Sequence, residues 1–88
     1  MKQVKIRLQT IPQVQSFINT VSRFTSEADL SSGKYVVDAK SIMGIFSLNL
    51  MQPVTLTVDG TDENELVEAI QTLHPRMYNR IIEKLTDL

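Results

Sequence analysis

Apolar and polar residues alternate at the beginning of the chain, and this alternation predicts a β-strand. Val4, Ile6 and Leu8 are separated by single polar or charged residues. A period of two puts every second side chain on the same face of a strand. We therefore expect this segment to belong to a sheet that buries one face and exposes the other to water.

The next segment changes to the period of an α-helix, over about residues 11–23. Thr10 followed three residues later by Gln13 is a capping-box pattern, and Pro12 is tolerated in a first helical turn. Behind this start, apolar residues recur three or four positions apart, which places them on one helical face. They are Val14, Phe17, Ile18, Val21 and Phe24.

The remaining pattern predicts three more strands and three more helical segments. The strands are expected at about residues 28–30, 35–37 and 54–58, with a hairpin turn at Ser31-Ser32-Gly33 between the first two. The helical segments are expected after Ser41, after Asp62 and, beyond a break at Pro75, from residue 77 onwards.

The predicted order is β-α-β-β-α-β-α, with a C-terminal helical tail. A four-stranded antiparallel sheet with helices on one face is an α+β, open-faced β-sandwich. A chain of 88 residues is expected to form a single domain. We divide it into a core over residues 1–74 and a helical tail over residues 75–88.

Composition and charge exclude several classes of function. The chain has 9 basic and 10 acidic residues and a formal net charge of -1, whereas nucleic-acid binding usually needs a concentrated basic face. It has no cysteine and one histidine, so we expect no disulfide, no metal site and no cofactor. No apolar run is long enough to span a membrane, and the alternating first residues are unlike a signal peptide. These features predict a cytoplasmic protein.

Residues 38–48, DAKSIMGIFSL, carry a resemblance to a known family. They resemble the regulatory-serine motif of HPr, the phosphocarrier of the bacterial sugar phosphotransferase system, in which Lys-Ser-Ile-Met-Gly precedes two apolar residues and Ser-Leu. Residues 23–26, RFTS, are also similar to family members, in particular to the HPr paralogue devoted to catabolite repression. The predicted element order agrees with the family over about residues 4–73, so the resemblance implies the HPr fold.

The segment before the first helix departs from the family. HPr carries its phosphoryl-accepting histidine there, in a Gly-x-His-x-Arg-Pro loop. Here the stretch is about three residues shorter and contains no histidine, arginine or glycine. It consists of Gln9, Thr10, Ile11, Pro12 and Gln13. Since threonine and glutamine cannot form a labile N–P bond, we expect no phospho-histidine site, no catalytic residue and no enzymatic activity.

The resemblance implies a regulatory role for the serine segment. Ser41 is the residue that an HPr kinase-type enzyme would phosphorylate, although serine is also a preferred N-cap. Ile42, Met43 and Phe46, with Ser47, are expected to bind a protein partner, which is such a kinase or a transcriptional regulator. We therefore predict a regulatory or adaptor protein linked to the sugar phosphotransferase system. In this it would be similar to the catabolite-repression paralogue, which also lacks the histidine and keeps the serine.

A second hypothesis is a divergent HPr-fold module that self-associates or binds partners outside the phosphotransferase system. The predicted tail motivates this hypothesis, because an apolar stripe of Met77, Tyr78, Ile81 and Leu85 could form a homodimer or fold back on the core. His74 is a poor alternative phosphoryl acceptor, since it precedes a proline in the C-terminal region and lies far, in the family fold, from the start of the first helix.

Overall fold

A computed structural model describes residues 1–74 and 86–87 of the chain, which contain three helices and five strands. In chain order they are β1 (Lys2–Ile6), α1 (Ile11–Val21), β2 (Glu27–Ser32), β3 (Tyr35–Asp38), α2 (Ile42–Phe46), β4 (Val54–Asp59), α3 (Glu63–Leu73) and β5 (Thr86–Asp87).

The strands form one antiparallel sheet in the order β3-β2-β4-β1-β5. Leu56 in the central strand β4 lies opposite Val4 of β1 on one side and Leu30 of β2 on the other. Because side chains alternate between the two faces, this register brings the apolar residues of three strands to the same face. The predicted α+β open-faced sandwich with a four-stranded antiparallel sheet is confirmed, and β5 adds a two-residue strand at the β1 edge.

The core lies between this face of the sheet and the helices. Each helix places apolar side chains in it, and the burial of one such large side chain stabilises the fold by roughly 1.5–3 kcal/mol. The largest fully buried side chains are Phe17, Ile6, Leu8, Leu30, Ile45, Leu56, Leu66 and Ile70. The opposite face of the sheet is polar, and on it the Gln3 amide donates a hydrogen bond to the Thr57 hydroxyl at 3.2 Å.

Two predicted boundaries differ from the structure. Helix α1 ends at Val21 and not at residue 23, because the next residues form turn hydrogen bonds, such as that from Arg23 N to Thr20 O at 3.1 Å. Strand β2 continues through Ser32, so the hairpin turn lies at residues 33–34 and not at 31–33. Gly33 has φ 59°, which glycine adopts at little cost, and it is therefore suited to the first position of this two-residue turn.

The predicted helical tail is wrong at its far end. Thr86 and Asp87 form strand β5, which pairs with Gln3 and Lys2 of β1. The free edge of β1 offers backbone hydrogen-bonding groups that an extended segment can use and a helix cannot. The dimer stripe predicted at positions 77, 78, 81 and 85 lies outside the described residues. None of the helices in the described residues is long and apolar enough to cross a membrane.

Candidate functional site

Ser41 begins the short helix α2. Its backbone is extended, with φ −102° and ψ 110°, and its Oγ accepts a hydrogen bond from Gly44 N at 3.2 Å. The Ser41 carbonyl also accepts from Ile45 N at 3.0 Å, which closes the first helical turn. Ser41 is therefore the N-cap of α2, in agreement with its residue type, and its side chain is half-buried.

Helix α2 is anchored by one buried side chain and exposes several others. Ile45 is fully buried, whereas Ile42, Met43 and Phe46 are 39%, 77% and 43% exposed. Ser47 ends the helix, and its exposed hydroxyl donates to Gly44 O at 2.6 Å. A helix of five residues has room for few inward positions, so most of its apolar side chains face water. We call Ile42, Met43, Phe46 and Ser47 the α2 surface.

Gly44 allows α2 to pack against the sheet. A Cβ atom at this position would lie 3.1 Å from Cβ of Val37 and 3.3 Å from Oγ of Ser41. These distances are shorter than ordinary van der Waals contacts, so a larger residue would displace either β3 or the capping hydroxyl. The glycine of the motif thus keeps Ser41 in its capping position.

The start of α1 is capped by hydrogen bonds to its own side chains. Thr10 Oγ1 accepts from Gln13 N at 3.2 Å, and Gln13 Oε1 accepts from Gln9 N at 2.7 Å. The predicted capping box is thus present, with the return bond made to the residue before the cap. Of the amide groups that a free helix N-terminus could offer to a phosphate, that of Gln13 is occupied, and Pro12 has no N–H to offer. This end of α1 offers no imidazole and no arginine, and Ile11 is 61% exposed.

An apolar cleft of about 230 Å³ joins the start of α1 to the end of α2. Its floor includes the buried side chains Leu8 and Val14, and its rim includes Ile11, Phe46 and Met51. Met51 is 86% exposed. The sequence analysis missed Leu50 and Met51 as members of this surface, because both lie between elements, where no periodicity marks them.

The His74 side chain is hydrogen-bonded to the last turn of α1, at the end away from Thr10. The Thr20 hydroxyl donates to Ser16 O at 2.9 Å, so its oxygen accepts from His74 Nε2 at 2.6 Å. Burial and, to a smaller extent, the Arg23 charge lower the pKa of His74 below its usual value. Thr20 belongs to the last turn of α1, at the opposite end of the helix from Thr10.

Asp62 holds the start of α3 against the loop that precedes β2. One carboxylate oxygen accepts from Thr25 N at 2.8 Å and from the Thr25 hydroxyl at 3.1 Å. The other accepts from Ser26 N at 2.9 Å and from the Ser26 hydroxyl. These bonds, that from the Ser26 hydroxyl foremost, lower the pKa of Asp62 to about 2. We call these three residues the Asp62 clamp.

The sequence analysis expected a helix after Asp62, and α3 begins at the next residue. Asp62 occupies the N-cap position of α3, but its side chain makes no capping hydrogen bond. Glu63 and Glu65 lie in the first turn, where acidic residues favour the helix dipole. No group of three or more histidine or acidic residues that could hold a metal ion occurs within the described ranges.

Comparison with known proteins places these features in a family. A family model described as the PTS HPr component phosphorylation site matches residues 13–75. The HPr-like protein Crh of Halalkalibacterium halodurans is 39% identical over 74 residues, which cover 78% of this chain and 88% of that protein.

Two crystal structures extend the comparison to the fold. HPr-C-His from Thermoanaerobacter tengcongensis superimposes with a TM-score of 0.75 at 30% identity, over 100% of both chains. Crh of Bacillus subtilis, whose structure is described as a dimer with a swapped domain, has a TM-score of 0.64 at 34% identity, over 86% of this chain and 90% of its own. The resemblance first seen around Ser41 is therefore confirmed, and this chain belongs to the HPr family.

Proposed function

We propose that this protein is a regulatory or adaptor member of the HPr family that does not carry phosphate on histidine and is switched by phosphorylation at Ser41. The observation that supports it best is the contrast between two helix starts. Both starts are capped by a hydroxyl, but the start of α1 has no histidine and no arginine, whereas Ser41 at the start of α2 lies beside an exposed apolar surface.

The chemistry at α1 argues against a phosphoryl relay. A phosphocarrier needs a nucleophile whose phosphorylated form transfers the group onward, which an imidazole provides through a labile N–P bond. Thr10 would form a stable phosphate ester, which does not transfer its phosphoryl group onward as an N–P bond does. His74 uses Nε2 in its bond to Thr20 and is half-buried, so it is a poor replacement.

Phosphorylation at Ser41 would change the charge beside the α2 surface. A phosphoserine carries about -1.5 to -2 charges at neutral pH and offers three strong acceptor oxygens. Met43 and Phe46 would then lie next to a charge that an arginine-bearing partner can bind, while the apolar side chains supply contact area. A partner could thus distinguish the two states of one surface.

The partners that fit this surface are an HPr kinase-type enzyme and a transcriptional regulator of bacterial carbon metabolism. Ile42, Met43, Phe46 and Ser47 are the residues that we propose contact them, and the α1–α2 cleft extends the apolar area toward Ile11. In this proposal the protein is a cytoplasmic binding protein and not an enzyme.

Incubation of the protein with an HPr kinase and ATP tests the switch. We expect the intact mass to increase by one phosphoryl group, and fragmentation to locate this group on Ser41. The matched control is Ser47→Ala, which removes the other hydroxyl of the same helix and is expected to remain a substrate.

Ser41→Ala is expected to remain unmodified under the same conditions. Phosphate on Ser47 or elsewhere, or an unmodified wild-type protein beside a fully phosphorylated HPr standard, would rule out Ser41 as the switch.

A further inference from the structure

Strand β3 forms an edge of the sheet and exposes apolar side chains there. It pairs with β2 on one side and has no strand on the other within the described structure. Tyr35 and Val36 are 72% and 64% exposed. Edge strands are usually protected by a very short length, by charged side chains, by proline, by a bulge or by a covering element. Strand β3 contains no proline, and its register with β2 runs without a bulge from Tyr35 to Asp38.

The hairpin turn determines which backbone groups of β3 face outward. Ser32 and Tyr35 close a two-residue turn, so they form a hydrogen-bonded pair, and the pairs alternate from there. Val36 therefore directs its N–H and C=O groups away from β2. Asp38 does the same, but its carbonyl already accepts from Ser41 N at 3.0 Å. Val36 is thus the centre of the free edge.

The sequence of β3 is complementary to itself when two copies run antiparallel. With Val36 opposite Val36 of a second copy, each Lys34 lies opposite an Asp38, and each Tyr35 lies opposite a Val37. Lys34 is exposed and has no ion-pair partner among the residues that the structure describes. Asp38 is also exposed, and one of its carboxylate oxygens accepts from Lys40 N at 2.8 Å, which leaves the other available.

We propose that β3 is a self-association site at which two copies of this chain join their sheets about a two-fold axis. Opposite charges in facing positions favour the pairing, and β-branched and aromatic side chains suit a strand. A two-fold axis lets the same patch serve both copies. The site uses neither the Ser41 hydroxyl nor any residue of the α2 surface, so it goes beyond the function proposed above.

Sedimentation equilibrium of the full chain tests the site. We expect a concentration-dependent monomer–dimer equilibrium for the wild type. Val36→Pro is expected to abolish the dimer and preserve the monomer, because the lost N–H has no partner in the sheet and edge strands tolerate proline. A monomeric wild type at all accessible concentrations, or a dimer that persists in Val36→Pro, would overturn the proposal.

Charge reversal tests the facing positions. Lys34→Glu alone and Asp38→Lys alone each place like charges opposite one another twice, so each is expected to weaken the dimer roughly tenfold. An equimolar mixture of the two variants restores opposite charges and is expected to recover association. Lys5→Glu, the same charge change on β1, is expected to leave the equilibrium unaltered.

The mixing experiment separates this site from other modes of dimerisation. A dimer made by an exchanged segment or by the chain beyond residue 74 would not depend on which variants are mixed. If the mixture associates no better than either variant alone, the proposed register is wrong. Circular dichroism of each variant establishes that its fold is retained.

Discussion

At the scale of single residues, three positions of the serine segment have different structural roles: Ser41, Met43 and Gly44. Ser41 caps α2, and Gly44 leaves space for its hydroxyl against Val37. Met43 contributes little to the core, because 77% of its surface is exposed. The residue that maintains the geometry therefore differs from the one that is available to a partner.

Met43→Asp is expected to impair recognition without affecting stability. An exposed position tolerates substitution within about 0.5 kcal/mol of the wild-type unfolding free energy. Loss of an apolar contact of the α2 surface is expected to lower kcat/KM for phosphorylation of Ser41 by an HPr kinase about tenfold.

Leu73→Asp is the matched control for this prediction. Leu73 is 55% exposed at the end of α3, outside the proposed surface. Equal losses of kcat/KM in the two variants, or none in Met43→Asp, would show that the α2 surface is not the recognition surface.

Some residue roles followed from sequence and others did not. The capping residues Thr10 and Ser41 were predictable, because a cap depends on neighbours three positions away. The contact between Asp62 and Ser26 was not, since it joins residues 36 positions apart that only the finished fold brings together. The bond between Thr20 and His74 spans 54 positions and was missed for the same reason.

At the scale of elements, the Asp62 clamp fixes where α3 begins relative to β2. Gly60 makes this approach possible, because a Cβ atom there would lie 2.7 Å from Cα of Ser26. The carboxylate then accepts hydrogen bonds from the backbone and hydroxyl groups of Thr25 and Ser26. The clamp therefore extends the connection between these segments beyond the last β2–β4 pair, Glu27 with Asp59.

Asp62→Asn is expected to lower the thermal stability at neutral pH and to have little effect in strong acid. The folded-state pKa of Asp62 is about 2, below its ordinary value of 3.8. A lowered carboxyl pKa contributes stability above the unfolded-state value, and this contribution is lost as the pH falls through the folded-state value.

Thermal unfolding followed by circular dichroism across this pH range measures the effect. The difference in Tm between wild type and Asp62→Asn should shrink as the pH falls from 3.8 toward 2. Glu65→Gln, a neutral substitution at an exposed first-turn position, serves as the control. A difference that stays constant down to the lowest pH would indicate that the clamp does not depend on the charge.

Element order was predictable, but several boundaries were not. Hydrophobic periodicity located the strands and helices, because each buries one face. It did not locate the end of α1, which depends on turn hydrogen bonds of Arg23 and Phe24. It also gave no sign of β5, since two residues are too few to show a period.

At the scale of the whole molecule, the fold places the start of α1 beside helix α2. The α1–α2 cleft brings Ile11 near Phe46, so an apolar surface runs from the start of α1 to the end of α2. The hydrophobic pattern and the serine motif were sufficient to predict the fold and the family. The cleft was not predictable, because it is formed by loop residues such as Met51 that the tertiary structure positions.

The claim that this HPr-family protein is not a phosphocarrier is tested most directly by phosphoenolpyruvate and the first enzyme of the phosphotransferase system. A histidine-bearing HPr is the positive control, and acid lability of the incorporated phosphate is the readout. We predict no acid-labile phosphate on this chain, because the start of α1, which Thr10 and Gln13 cap, provides no imidazole. The account would be contradicted if the chain acquired acid-labile phosphate and passed it to a downstream sugar-transport component.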